Sequence, residues 1–463
     1  MKSRKERQAV AGPSQAPAKK KRILYMTTAL VVLVVVAVLN RSWLASFPNG
    51  QARRCLAQRD AENAFWWLRI SQRIAPKNAE YRFLLARVLR RKGETDAAFD
   101  RQLEEARDAG WPNERVEAEK CLAMAQNGHM RETFPFLSLL LKEMPLDAAE
   151  VYEAFTIGAL RNFEYKIAND LAVDWIDVCP EDPLPHFMIG QMMDDTKQLD
   201  RAEPQYRAAL ELDPAYHAAA LALADLLAIR SNYSQALEFY HHAADGQTER
   251  LLALVGEANC LRHLGRTNEA KTLLAKVIAD DAEMPTANLE LAQLDIAEGN
   301  FEQALGRLEP LAAKVPRNTD VQLALANVLN IVGRSDEARE QLKAATNAKS
   351  ELSRIQGLMV AVWTDPGDPE CRHKLGRIYL NFGSQSKGLD WLHKVVSLDP
   401  NYKPTLCLLA DYYESMHDDK SSTKALAREF RTRCQNAVSQ TTNEDAAAKM
   451  EGNPNAPPQT QVP

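Results

Sequence analysis

A chain of 463 residues is too long for one compact core, so several domains or a repeat array are expected. The formal charge of −5 hides an asymmetry, because residues 1–22 carry a net +7 and the rest therefore −12. An acidic body argues against a nucleic-acid groove, which needs clustered Lys and Arg to displace counterions.

In chain order, the first feature is a basic tail over residues 1–22 (Lys2, Arg4, Lys5, Arg7 and Lys19–Arg22, with Glu6 the one acidic residue). Ile23–Leu39 follows, an uncharged apolar run of 17 residues, at the short end of what spans a bilayer as a helix. Tyr25 and Trp43 flank it as interfacial aromatics do, and Lys19–Arg22 abut its start. Residues 23–44 are expected to be a transmembrane anchor. By the positive-inside rule the N-terminus is then cytoplasmic and residues 45–463 lie across a plasma (inner) membrane, in a single-pass arrangement. A cleaved signal peptide is the alternative, though no small-x-small site follows the run, and repeats facing the cytosol are the competing topology.

From residue 45 onward the sequence repeats with a period of 34. Gly190, Ala224, Ala258, Ala292 and Ala326 are spaced at that interval, as are Ala202, Ala236, Ala270, Ala304 and Ala338. The second register reaches back to Ala168, and the pairs Ala52/Ala86 and Ala64/Ala98 keep the same step. Small residues at such points let two antiparallel helices approach along a seam. Large apolar residues recur around them: Leu223, Leu291, Leu325 and Leu375 on first helices, Tyr206, Tyr240, Leu274, Leu308 and Leu342 on second helices. Gly93, Gly265, Gly299, Gly333 and Gly383 end first helices, and Pro76, Pro180, Pro214, Pro316 and Pro400 punctuate the turn after the second. Eleven hairpins are expected. The one at 113–148 is degenerate, with Phe134 where Ala is expected and Pro135 beside it.

These positions resemble the tetratricopeptide repeat family, most completely in Pro183–Tyr216 and Pro369–Tyr402. The resemblance covers about residues 45–436. It implies an all-α fold: a right-handed superhelical solenoid of TPR-like helical hairpins, here preceded by one transmembrane helix. The expected plan is a solenoid of about nine hairpins over 45–352, an extra unpaired helix and turn over 353–368, two further hairpins over 369–436, and a polar, disordered tail over 437–463.

The resemblance also implies that first helices line a concave face that holds a peptide or a partner helix. At the inward-pointing ninth place this chain has Gln191, Asp225, Asn259, Gln293 and Asn327, a ladder able to pair with a bound backbone or simply to stay solvated. Phe187, Arg262, His263, Asn330, His373 and Arg377 are neighbouring candidates. No phosphate-loop, dinucleotide, nucleophile-elbow or zincin motif is present, and Cys260/His263 and His241/His242 lack further ligands at metal spacing. Asp194-Asp195 and Asp280-Asp281 suit turns and caps. The seven cysteines form no C-x-x-C and suit buried single thiols. The expectation is a membrane-anchored, non-catalytic scaffold or adaptor for a protein or peptide, without cofactor or metal. The alternative is an accessory subunit that positions a separate enzyme or its substrate in an envelope-assembly or maturation complex.

Overall fold

The structure, a computed structural model, describes residues 41–416 and 421–437. All regular structure among them is helical, in two units, Met1–Leu140 and Leu141–Pro463. The first unit holds α1 (Arg41–Ala57), α2 (Ala61–Ile74), α3 (Ala79–Lys92), α4 (Ala97–Asp108), α5 (Asn113–Gln126) and the short α6 (Met130–Thr133). A 3₁₀ turn at Phe134–Phe136 then leads into α7 (Leu137–Glu143), which runs across the division. The second unit holds α8 (Ala148–Arg161), α9 (Tyr165–Val178), α10 (Pro183–Asp195), α11 (Leu199–Leu212), α12 (His217–Ile229), α13 (Tyr233–Ala243), α14 (Arg250–His263) and α15 (Thr267–Asp280). It continues with α16 (Pro285–Ala297), α17 (Phe301–Lys314), α18 (Thr319–Ile331), α19 (Ser335–Ser353), α20 (Ile355–Thr364), α21 (Pro369–Phe382), α22 (Gln385–Leu398), α23 (Lys403–Ser415) and α24 (Ser421–Asn436).

The expected fold class needs one correction. Among the described residues no helix is long and apolar enough to cross a membrane, so the transmembrane helix expected before the solenoid is not supported. A span needs about 20 consecutive apolar residues. The first described helix, α1, has 17 residues and includes Arg41, Asn49, Gln51, Arg53 and Arg54. The run Ile23–Leu39, the basic tail 1–22 and the polar tail from 438 onward lie outside the described residues.

The hairpins are delimited by chemistry at both kinds of turn. In six successive hairpins of the second unit the internal turn passes through one left-handed residue, at Phe163, Lys197, Ser231, Gly265, Gly299 and Gly333, always 34 apart; the turn after α21 does not, since Gly383 has φ −129°. The turn between hairpins is set by proline: the second-helix C-caps Ala75, Cys179, Asp213, Val315 and Asp399 each directly precede one. Several next helices then start on a side-chain cap, as when Asn78 accepts from the Tyr81 amide at 2.9 Å and Asp368 from that of Glu370 at 2.8 Å.

All ten residues of the two main 34-residue registers are buried. A Cβ on Gly190 would lie 2.5 Å from the Tyr206 ring, and one on Gly376 would lie 2.6 Å from Leu392, so the seams leave no room for a larger residue there. Two register expectations fail. Ala98 is exposed and Phe99 is buried in its stead, because the turn at 93–96 is one residue longer than the turn at 58–60. Leu342 is 50% exposed, because no regular hairpin follows to cover it; a single residue separates the end of α19 from the start of α20. The extra helix is paired rather than isolated. Met359 and Val362 are fully buried as α20 packs against α21. Two cysteines depart from the single-thiol expectation. Cys407 and Cys434 form a disulfide, since antiparallel α23 and α24 bring their Cα atoms to 5.0 Å.

In the second unit the chain returns to its own beginning. The Phe163 ring stacks on Trp391 with centroids 3.7 Å apart, and Tyr165 stacks on Trp363 at 6.3 Å. The Arg372 side chain is only 1% exposed. Its guanidinium donates to the carbonyl oxygens of Pro366 at 2.8 Å and of Asn162 and Phe163 at 3.3 Å.

Candidate functional site

A cleft of about 410 Å³ opens in the second unit where these ends meet. Leu160, Phe163, Tyr165 and Tyr206 line it. Two consecutive first helices supply the carboxylates and the carboxamide: α10 presents Gln191, Asp194 and Asp195, and α12 presents Asp225, with Ala222 beside it in the lining. Gln191 and Asp195 are about one helical turn apart, which puts them on one face. Lys387 enters from α22, its Nζ 3.4 Å from Asp195 Oδ1.

The electrostatics follow from this crowding. Asp225 is open to water along the cleft yet ringed by protein, and that desolvation, with Asp194 beside it, raises its pKa; the Tyr240 hydroxyl, donating at 2.5 Å, works the other way. Burial raises the Tyr206 phenol, and burial with a hydrogen bond to Asp195 raises that of Tyr165, so both stay protonated donors. Burial disfavours the Lys387 charge, but Asp195 and Tyr379 outweigh it and raise its pKa. The cleft therefore offers three carboxylates, one ammonium, a carboxamide and two phenols, a surface for hydrogen bonding and charge pairing. Among the described residues no group of three or more His, Cys, Asp or Glu is arranged to hold a metal ion.

The ninth-place ladder is divided. Gln191 and Asp225 share the cleft. Asn259 turns to the next first helix, where its Nδ2 donates to Glu290 Oε1 at 2.7 Å, and Arg262 Nε donates to the other oxygen at 3.0 Å. That pair joins α14 to α16. Gln293 is half-buried on α16, while Asn327 and Asn330 are exposed on α18. Phe187 packs against Tyr206 and Tyr216, and the His263 ring stacks on Tyr233 at 4.2 Å. His373 bonds through Nδ1 to Thr405 Oγ1 at 2.9 Å, joining α21 to α23, and Arg377 is exposed. The structure thus brings two of the candidates into the cleft and uses Asn259, Arg262 and His373 to tie neighbouring hairpins together.

Sequence reasoning assigned Asp194 and Asp195 to a turn and passed over Tyr165 and Lys387. The carboxylates could have been found from their three- and four-residue spacing to Gln191; Lys387 carries no periodic signal.

No curated protein matches the sequence. Among solved structures, the chain is similar to PilW, a widely conserved type IV pilus biogenesis factor, at 19% identity over 42% of this chain and 90% of that one, with a TM-score of 0.38. It is similar to the APC/C hetero-tetramer Cut9–Hcn1 at 13% identity over 83% and 76% of the two chains (TM-score 0.37). It is also similar to pilF of Pseudomonas aeruginosa at 16% identity over 55% and 99% (TM-score 0.33). Two family models, both described as tetratricopeptide repeat, match residues 261–328 and 295–362, and residues 59–114 and 195–248. With hairpins, seams and turns at a 34-residue interval, this chain carries tetratricopeptide repeats.

Proposed function

We propose that the protein is a non-catalytic scaffold that holds a segment of a protein partner in the cleft of its second unit. The observation that carries this reading is the placement of Gln191 and Asp225, the same repeat position on two successive first helices, in one cleft. Groups one repeat apart, on helices about 8–10 Å from each other, can meet positions about three residues apart along an extended chain, whose amides and carbonyls they pair with. The carboxylates favour donors on the segment, and the phenol hydroxyls can donate to its carbonyls. The test is a photo-crosslinking amino acid placed at Gln191 in cells, with exposed Glu211 on α11 as the control position. A defined adduct at 191, absent at 211 and reduced by Asp225→Asn, supports the reading. Equal labelling at both positions, or labelling indifferent to Asp225, removes the cleft from it.

The Cys407–Cys434 disulfide favours an oxidising compartment for these repeats. Thiol labelling of protein from unreduced cells checks this: both cysteines should resist alkylation until a reductant is added, and immediate labelling of both would reverse the assignment.

A further inference from the structure

We propose that the contact between the ends of the second unit is a releasable clasp. When closed at Phe163–Trp391 it builds the cleft by carrying Lys387 to Asp195, and when open it lets the two hairpins it joins fray while the hairpins between them stay packed. The bearing of the clasp on binding rests on the reading of the cleft as the partner site; the clasp itself does not.

Three local penalties meet at this one junction. Phe163 has φ +55°, in the left-handed region, where a bulky side chain is disfavoured. The same register place is glycine at 265, 299 and 333; Lys197 and Ser231 also adopt it, but with exposed side chains, whereas Phe163 is buried. Arg372 buries a guanidinium against backbone carbonyls, and burial lowers its pKa, which marks a desolvated charge. Trp391 is fully buried, and its indole Nε1 has no hydrogen-bond partner. Such penalties persist where surrounding contacts hold them in place, and they concentrate where a structure has two arrangements.

The hairpins on either side do not need the junction for their own packing. The α21/α22 pair has its own seam, where a Cβ on Gly376 would strike Leu392 and one on Gly388 would strike the Leu380 backbone. The α8/α9 pair, whose turn carries Phe163, has its own seam of fully buried Ala154, Ala159, Ala168 and Ala172. Across the junction, beyond the Phe163–Trp391 stack and the Arg372 fork, stand the Tyr165–Trp363 stack at 6.3 Å and the ion pairs Lys387–Asp195 at 3.4 Å and Lys394–Glu164 at 3.9 Å. The two ion pairs are long, so each is a single loose link between the ends. Few contacts therefore have to break together, and their loss frees Lys387 from Asp195.

Hydrogen exchange of the full chain, read by mass spectrometry, tests the clasp. Amides in 160–168 and 385–396, far apart in sequence, should exchange together and at least tenfold faster than those in 250–314. Trp391→Ala should speed both stretches a further tenfold or more and leave 250–314 unchanged. Trp391→Phe, which keeps a ring on Phe163, should stay within a few-fold of the parent. If Trp391→Ala does not fold, Arg372→Lys, which keeps the charge and loses the fork, serves for the same comparison. Exchange at one common rate across all three stretches, or a variant that speeds all three alike, overturns the proposal by showing a single cooperative body. Loss of the residue-191 crosslink with this exchange pattern intact would sink the binding site and leave the clasp.

Discussion

Replacing glycine by alanine should shift stability in opposite directions at two helical sites, and the difference measures how tightly the seams are packed. A Cβ on Gly256 of α14 would sit 2.2 Å from Cε1 and 2.4 Å from Cζ of Tyr240. That ring is buried, and its hydroxyl is fixed to Asp225, so it has little freedom to move aside. Overpacking of this kind costs about 1–3 kcal/mol, and the helix preference of Ala over Gly returns about 1 kcal/mol. Gly256→Ala should then destabilise by about 1–2 kcal/mol at the upper part of the overpacking range. Gly306 lies inside α17, is exposed, and has nothing within 4 Å of an added Cβ. Gly306→Ala should stabilise by up to about 1 kcal/mol. For a body of this size 1 kcal/mol moves Tm by roughly 2–4 °C, so thermal melts followed by circular dichroism should separate the two variants by several degrees. In a Tyr240→Ala background the Gly256 penalty should disappear. A neutral or stabilising Gly256→Ala would show that the backbones have room, and close approach would no longer explain the spacing of small residues.

Reduction of Cys407–Cys434, or the double serine variant, should destabilise the terminal hairpin by about 3.5 kcal/mol, the loop-closure value for a separation of 27 residues; faster hydrogen exchange confined to α23 and α24 checks it. Glu290→Ala should cost about 2 kcal/mol by stranding Asn259 and Arg262, with Glu290→Gln intermediate because it keeps the Asn259 bond; urea unfolding measures both. Burial lowers His373 to about 4, below the 6.5 of the free side chain, so the fold prefers the neutral ring. Its contribution is complete above pH 6.5 and is lost as pH falls toward 4. His373→Gln should flatten the stability profile across that window in melts at stepped pH, and an unchanged profile would place the acid sensitivity elsewhere.

The hairpins were legible because a helix pair that repeats must repeat its points of closest approach. Ala224, Ala258 and Ala292 are small for one reason, and that reason recurs every 34 residues. The misplacements have equally local origins. Ala98 kept the step in sequence, but one added turn residue rotated it out of the seam and Phe99 in. Leu342 kept its register and lost its cover, because burial of a second helix depends on the hairpin that comes next, and there the pattern slips. The apolar run Ile23–Leu39 was read from hydropathy alone, and no described helix takes up the membrane role it suggested.

The cleft was legible only in part, for a related reason. A periodic pattern reports contacts between neighbours one repeat apart, and so it found Gln191 and Asp225. It is silent about contacts such as Arg372 to Asn162 and Phe163, which span more than 200 residues. What marks those contacts in the sequence is departure from the repeat: phenylalanine where later hairpins have glycine, and Trp391 and Arg372 in a hairpin that follows a register slip. Each departure looks like decay of the pattern when read alone. Together they are residues whose partners lie outside the neighbouring hairpin, and the seam rules no longer constrain them because a different contact does. In a repeat protein the register therefore locates the scaffold, and the residues that break it without loss of burial locate the places where distant parts of the chain meet.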